Sequence, residues 1–280
     1  MVMAKPDASS LRARGLAAKA WAELWEPLDL QLSPLGLRAI DALAPRAGEV
    51  IVDIGCGAGQ TVLQLAERVG PAGRVIGVDI APQVLDVARR RATDLSQVSF
   101  VECDAVALEL SPRSIDGVFS RFGVMGFRDP VAAFRGFHRL MKPTARLAFV
   151  CWRALEENEL DLLPVRAAGL EHLIDRTPFS LADAETVQAT LRAAGFSQIA
   201  IRAHDVAVSS GDLEAMVTVL LRVGPLGKIL RESPSLRRAA EPRLRAALAS
   251  KGDGACLALN AATWIVTARA SQIDGVIGAT

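Results

Sequence analysis

The stretch VDIGCGAGQ, residues 52–60, places three glycines within five positions directly after a short apolar run. A turn built from Gly55, Gly57 and Gly59 can be tight and can let a ligand approach the backbone closely, because glycine has no side chain and tolerates positive φ angles. The same turn would serve a dinucleotide, a phosphate or another nucleoside. The three glycines therefore predict a binding loop without identifying its ligand.

Acidic residues narrow the choice of ligand. Asp53, Asp79 and Asp104 each stand at the end of a predicted strand, and ligands of open α/β sheets bind outside the carboxyl ends of the strands. A carboxylate beside the glycine loop would repel a pyrophosphate but suits an ammonium or sulfonium group. Asp79 can accept hydrogen bonds from both ribose hydroxyls, and Asp104 can accept from an adenine amino group. The G-x-G-x-G spacing also differs from the G-x-G-x-x-G of dinucleotide sites. Together these residues predict a nucleoside with a cationic tail.

Apolar strands alternate with amphipathic helices around these residues. The predicted strands are 49–54, 74–80, 99–104, 115–120, 145–152, 198–208 and 262–270, and the predicted helices are 59–70, 82–92, 129–143 (Asp129 as cap, Pro143 as stop), 181–196 and a helical stretch at 211–250. Continuous apolar strands between helices indicate a sheet covered on both faces. We therefore predict an α/β, doubly wound, mostly parallel sheet. The cluster at 89–91 is interpreted as the solvated cationic end of a helix.

The motifs VDIGCGAGQ, GVDIAP, VECDA and LMKPTARLAFV resemble the successive motifs of class I S-adenosylmethionine-dependent methyltransferases. The likeness is close over residues 46–152, looser over the whole chain, and strongest to the small-molecule subgroup that includes the ubiquinone/menaquinone-biosynthesis type. It implies a Rossmann-like methyltransferase fold with seven strands, the last of them, ATWIVTARA, antiparallel, and with helical cap segments. One departure is KPTAR (142–146), where the family usually has Lys-Pro-Gly-Gly, at a turn away from the expected pocket.

The resemblance implies S-adenosylmethionine as cofactor, S-adenosylhomocysteine as product, and a role for each residue of the cofactor site. The implied set is Asp53, Gly55, Cys56, Gly57, Gly59, Gln60, Asp79, Ile80, Asp104, Ala105, Ser120 and Arg121. Asp53 and the glycines would line the methionine portion, and Asp79 would bind the ribose. The adenine would meet Asp104 and Ala105, with Ile80 packed on its face. Cys56 occupies a slot that small residues commonly fill, so its thiol is expected to be passive.

Methyl transfer from an activated donor asks mainly for alignment and for exclusion of water. A base is needed only where the acceptor must lose a proton. The candidates for a catalytic side chain are His172 and Arg121, while His138 and His204 are expected to be structural. Trp25, Phe122, Met125 and Trp152 are predicted to line the acceptor pocket. Trp21, on the same predicted helix face as Trp25, is expected in the core.

The chain divides into four predicted regions. They are an N-terminal helical cap at 1–45, an α/β cofactor-binding core at 46–208 with a short insertion at 154–180, a helical lid at 209–255, and a final strand with tail at 256–280. The apolar character of the cap segments favours a small, moderately hydrophobic acceptor, methylated at oxygen, nitrogen or carbon.

Composition excludes several classes of function. Lys and Arg number 32 against 31 Asp and Glu, a net charge of +1 that gives no reason to expect nucleic acid or a membrane surface. Four dispersed cysteines without a C-x-x-C pair argue against a metal site or a disulfide framework. No apolar run approaches the ~20 residues of a membrane span, so we expect a cytoplasmic monomer or homodimer. Two alternatives stay open: an NAD(P)-dependent oxidoreductase on a similar sheet, and a non-catalytic S-adenosylmethionine-binding protein.

Overall fold

The computed structural model describes residues 8–252 and 257–271, which form ten α-helices and seven β-strands. The helices are α1 (Ala8–Glu23), α2 (Trp25–Leu43), α3 (Gln60–Val69), α4 (Pro82–Arg91), α5 (Pro130–Leu140), α6 (Glu159–Ala168), α7 (Ala184–Ala193), α8 (Leu213–Leu220), α9 (Gly224–Glu232) and α10 (Arg237–Ala249). The strands are β1 (Val50–Ile54), β2 (Arg74–Asp79), β3 (Val98–Glu102), β4 (Ile115–Arg121), β5 (Met141–Trp152), β6 (Phe196–Val208) and β7 (Leu259–Ala270).

The strands form one sheet in the order β3-β2-β1-β4-β5-β7-β6. The first five are parallel, and β7 inserts between β5 and β6 antiparallel to both. The predicted seven-stranded, mostly parallel sheet with an antiparallel last strand is therefore confirmed. The chain turns from β1 towards β2 and β3 on one side and resumes with β4 on the other. The gap between the ends of β1 and β4 is thus the topological switch point, where such sheets bind ligands.

Helices cover both faces of the sheet because their apolar residues recur at helical spacing. In α3, Val62, Leu65, Ala66 and Val69 are buried while Glu67 and Arg68 are exposed. The helix α5 begins at a capped turn, where the Asp129 carboxylate accepts from the Ala132 amide at 2.8 Å, as predicted. Phe134 and Phe137 of α5 pack with Phe149 of β5 in one core cluster, and Phe119 of β4 is buried in a separate cluster with residues of α3.

Two predicted boundaries were wrong at the junction of α5 and β5. The helix α5 ends at Leu140 rather than at Pro143, and β5 begins at Met141 rather than at 145. Met141 pairs with Ile115 of β4, so pairing with the neighbouring strand overrides the local helical pattern.

The N-terminal segment forms two helices, so Trp21 and Trp25 do not share one continuous helix as predicted. The break falls at Leu24, between Trp21 on α1 and Trp25 at the start of α2. The buried side of this region carries Ala20, Leu24 and Leu28, which pack with residues near α8. Trp21 points away from that side and is 37% exposed, so its predicted place in the core was wrong.

A cap made of α1, α6 and the three helices α8–α10 lies beside the sheet, where the helical stretch at 211–250 was predicted. Asn158, fully buried, ties the start of α6 to the sheet. Its amide donates to the carbonyls of Arg153 and Ala154 at 3.3 and 3.1 Å, and its Oδ1 accepts from the Ala262 amide at 2.8 Å. Among the described helices, none is long and apolar enough to cross a membrane.

Replacing Asn158 with alanine should lower the free energy of unfolding by about 2–4 kcal/mol, because three hydrogen bonds are lost and the buried Ala262 amide is left unpaired. Urea denaturation followed by circular dichroism measures the change. Glu156→Ala is the matched control, since its ion pair with Arg176 is exposed and should matter by less than ~1 kcal/mol. Equal effects of the two substitutions would contradict the role assigned to Asn158.

Candidate functional site

Three acidic residues lie at the carboxyl ends of three neighbouring strands. Asp53 is the second-to-last residue of β1, Asp79 is the last residue of β2, and Asp104 follows shortly after the end of β3. Because β1 pairs with β2 and β2 with β3, all in parallel, the three carboxylates share one edge of the sheet. The structure therefore brings together the acidic residues that the sequence singled out.

The glycine loop between β1 and α3 is fixed by a close contact of two backbones. A Cβ on Gly55 would lie 2.6 Å from the Gly123 Cα, and one on Gly123 would lie 2.3 Å from the Ile54 carbonyl oxygen. The Ser120 hydroxyl links the two backbone segments: it donates to the Ile54 carbonyl at 2.7 Å and accepts from the Gly123 amide at 3.1 Å. The backbone at Gly57, in contrast, faces open space: a Cβ there would meet nothing within 4 Å.

Asp79 holds the glycine loop to the end of β2. One carboxylate oxygen accepts from the Gly57 amide at 3.0 Å and the other from the Ala81 amide at 2.9 Å. Burial raises the pKa of Asp79, and the two backbone donors oppose that shift. Each oxygen keeps a further lone pair, so Asp79 can accept hydroxyl groups from a ligand that lies on the loop.

Asp53 is fully buried beneath the loop. The Thr61 hydroxyl donates to its Oδ2 at 2.5 Å, while Oδ1 has no partner among the residues that the structure describes. Burial raises the pKa of Asp53 to about 7, against the weaker lowering effects of Thr61 and Arg121. A cation that reached the loop would favour the ionised carboxylate and would lower this pKa.

Two large apolar side chains are exposed beside these acids. Ile80 follows Asp79 and is 59% exposed, and Val106 follows Asp104 by two residues and is 57% exposed. The Asp104 Oδ1 accepts from the Val106 amide at 3.1 Å, which leaves its second oxygen free of hydrogen bonds from the described residues. An apolar face next to a carboxylate acceptor suits a flat base with an amino group. In the sequence, Val106 is marked only by its position just after a strand-end acid.

The helix α2 is bound to the glycine loop by Arg91 of α4. The Arg91 guanidinium donates to the Asp29 carboxylate at 2.6 Å and to the Ala58 carbonyl at 2.7 Å, and it lies 4.1 Å from the centre of the Trp25 ring. We call Trp25, Asp29 and Arg91 the latch. Its ion pair is mostly buried, so the interpretation of 89–91 as a solvated helix end was wrong for Arg91. Sequence reasoning missed Asp29 and Arg91 because α2 and α4 are far apart along the chain.

Gln60 and Arg121 extend this network. The Gln60 side-chain amide donates to the Asp29 carbonyl at 3.0 Å, and its oxygen accepts from the Arg121 guanidinium. Burial lowers the pKa of Arg121, while the charges of Asp29 and Asp53 oppose that shift. Both side chains therefore lie between α2 and the glycine loop. The neighbouring Cys56 is buried, and burial raises the pKa of its thiol well above the ordinary value.

An aromatic pair stands at the ends of β4 and β5. Phe122 stacks on Trp152 with ring centres 4.0 Å apart. Phe122 has a φ angle of +64°, a backbone conformation that residues other than glycine rarely adopt. Its amide donates to the Val150 carbonyl at 3.0 Å. Met125, also predicted in the acceptor pocket, is buried in the same cluster as Trp152. Trp25 lies elsewhere, beneath Arg91, on the glycine-loop side.

The histidines take no part in this arrangement. His138 is buried against Phe196, edge to face at 5.2 Å, and His204 lies within β6. His172 is exposed in a single 3₁₀ turn at 171–173, after α6. In the described part of the chain, no group of three or more His, Cys, Asp or Glu side chains is placed to hold a metal ion.

Comparison with known proteins identifies relatives of this arrangement. A family model described as a methyltransferase domain matches residues 45–161. The chain is 36% identical over 119 residues to aklanonic acid methyltransferase DauC of Streptomyces sp. strain C5, covering 42% of this chain and 54% of that protein. It is 30% identical over 203 residues to nocamycin O-methyltransferase of Saccharothrix syringae, covering 66% of this chain and 72% of that protein.

The fold is also found in solved structures. Phosphoethanolamine N-methyltransferase 2 of Haemonchus contortus, in complex with phosphomonomethylethanolamine and S-adenosylhomocysteine, superposes with a TM-score of 0.55 at 21% identity, over 85% of this chain and 53% of that one. The chain spans about half the length of the curated relatives that it matches most strongly. The family match decides against the nicotinamide-dependent oxidoreductase. The chain belongs to the class I S-adenosylmethionine-dependent methyltransferase family.

Proposed function

We propose that this chain is an S-adenosylmethionine-dependent methyltransferase that moves a methyl group to oxygen, nitrogen or carbon of a small, moderately hydrophobic acceptor by in-line displacement. The observation that carries the proposal is the edge formed by β1, β2 and β3. Three carboxylates lie there around a loop whose backbone is open at Gly57, and two apolar side chains are exposed beside them.

Each part of this edge fits one part of the cofactor. Asp79 would accept the ribose hydroxyls with the lone pairs that the loop amides leave free. Ile80 and Val106 would pack on the adenine, with Asp104 and Ala105 at its polar edge. The unpartnered Oδ1 of Asp53 supports a cationic methionine portion above the loop. When bound, the cofactor supplies a methyl group already activated on a positively charged sulfur.

The protein's own contribution is alignment and exclusion of water. The contact between Gly55 and Gly123 fixes the loop relative to the end of β4, where the chain continues into Phe122. The stacked pair of Phe122 and Trp152 would form one wall for the acceptor, and an aromatic wall favours a flat, apolar one. The latch would hold α2 over the loop.

The other predicted site residues enter the proposal differently. Gln60 and Arg121 would act by joining α2 to the loop, and Ser120 by holding the end of β4. His172, exposed after α6, receives no role, since methyl transfer does not require a histidine base. The cytoplasmic location and the monomeric or dimeric state stay predictions.

The function is tested by incubating the purified chain with S-adenosylmethionine and a panel of phenols, naphthols and quinols. We expect saturable cofactor binding by calorimetry and acceptor-dependent formation of S-adenosylhomocysteine, measured by mass spectrometry. Binding without product from any acceptor would contradict catalysis and favour a cofactor-binding protein. Preferential binding of a nicotinamide dinucleotide would contradict the cofactor itself.

Replacing Asp79 with alanine should weaken S-adenosylmethionine binding by about 1–3 kcal/mol, because a charge-assisted acceptor for the ribose is lost. Calorimetry measures the affinity. Asp79→Asn separates the charge from the hydrogen bonds, and we expect it to fall between alanine and the wild type. Asp86→Ala, an exposed carboxylate of α4, is the matched control. An unchanged affinity in Asp79→Ala would show that the ribose lies elsewhere.

The raised pKa of Asp53 predicts a pH dependence of stability. Between about pH 4 and pH 7 the unfolded chain has released this proton while the folded chain still holds it, so the free energy of unfolding falls as the pH rises through that window and levels off above it. We expect the fall to be about 2–4 kcal/mol smaller in Asp53→Asn. Denaturation at pH 5 to 8 measures this difference.

Saturating S-adenosylmethionine provides the control for this measurement. A bound cation lowers the pKa of Asp53 and should make the decline of the wild type shallower, while Asp53→Asn should respond less. Identical pH profiles of wild type and Asp53→Asn, with and without cofactor, would rule out the position proposed for the cationic portion.

A further inference from the structure

A second buried carboxylate, Asp161, lies in the first turn of α6 and has no place in the chemistry above. Only 7% of its surface is exposed. No residue in the described ranges, 8–252 and 257–271, donates a hydrogen bond to it or forms an ion pair with it. A buried carboxyl group without a partner is costly, and burial raises its pKa to about 7.

The start of α6 is fixed at the carboxyl edge of the sheet. Asn158, which precedes α6, is hydrogen-bonded to the end of β5 and to the start of β7. Asp161 follows by three residues, about 4.5 Å along the helix axis. It is therefore held on the same side of the molecule as Trp152, the last residue of β5.

The facing element is the N-terminus of α9. A Cβ on Gly224, the first residue of α9, would lie 3.2 Å from the Asp161 Oδ1, so the absence of a side chain there makes room for the carboxylate. Val223 supplies no side-chain cap to α9. Asp161 nevertheless accepts no amide of that helix, so the structure does not use it as the cap.

Both helices also carry buried apolar side chains. Val165 and Leu226 are both fully buried on the helices that face each other, α6 and α9. A buried acceptor group without a protein donor gives strong discrimination, since a ligand that offers no hydrogen leaves the group unpaired. Such a site selects a ligand by one O–H or N–H.

Resting on the proposed function, we propose that Asp161 recognises the acceptor by accepting a hydrogen bond from its hydroxyl or amine group where the carboxylate faces the N-terminus of α9. The acceptor class that follows is an apolar, ring-containing molecule with at least one O–H or N–H. Its rings would meet Phe122 and Trp152 while its polar hydrogen meets Asp161.

The test compares 1-naphthol with 1-methoxynaphthalene, which differ by the hydrogen that Asp161 would accept. Binding of each to the wild-type chain saturated with S-adenosylhomocysteine is measured by calorimetry. We expect the wild type to bind 1-naphthol roughly tenfold or more tightly than the ether. Asp161→Leu should bind the two equally. Asp161→Asn keeps an acceptor oxygen and should keep part of the preference.

Glu159→Gln is the matched control, because Glu159 lies in the same helical turn but accepts from the Asn260 amide; it should keep the full preference. All variants should bind S-adenosylhomocysteine like the wild type. Failure of the wild type to bind it would defeat the proposed function, not this assignment. A wild type that binds neither compound or both equally, or an Asp161→Leu chain that still prefers 1-naphthol, overturns the role of Asp161. Should Asp161→Leu not fold, an undiminished preference in Asp161→Asn overturns it as well.

Discussion

The contact between the backbones of Gly55 and Gly123 is the constraint on which the rest of the site depends. It joins the two loops that leave the sheet at the topological switch point, after β1 and after β4, at a distance that no side chain would permit. The Ser120 hydroxyl satisfies the polar groups that this approach leaves inside. With the two loops fixed to each other, the open backbone of Gly57 and the strained Phe122 take defined positions near one contact.

The charged side chains around the glycine loop are positioned by the protein itself. Asp53 and Asp79 lie beneath and beside the glycines, while Arg91 and Arg121 lie on the side of α2. Burial makes each interaction stronger than it would be in water. Arg91 donates both to the loop and to Asp29 of α2, so the position of the N-terminal helix and the conformation of the loop are coupled. A change in one has an electrostatic cost in the other.

Features that depend on a local sequence pattern could be predicted from the sequence, whereas contacts between residues far apart along the chain could not. Strand-end acids and loop glycines are recognised from a few neighbouring residues, which is why the sheet and the position of Asp79 at its edge could be predicted. Arg91 looked like one of three solvated cations because its partner, Asp29, lies 62 positions away. Trp21 was misplaced because the side of α1 that becomes buried is decided by helices far away along the chain, α4, α8 and α9. The apolar side chain of Val106 could be considered as a ligand contact only once the structure showed that it is exposed.

The same distinction between local patterns and distant partners separates the part of the chain that the family model matches from the part that it does not match. The family match covers residues 45–161 and stops in the first turn of α6, so it includes the sheet edge but not α8–α10. A sulfonium methyl needs little beyond alignment, and one edge of a parallel sheet can provide this for many reactions. On the proposed function, acceptor choice would then come from Phe122 and Trp152 together with the cap. In the cap, helices are specified mainly by apolar spacing, and a single buried polar group such as Asp161, the last residue of the family match, would carry more chemical information than the pattern around it.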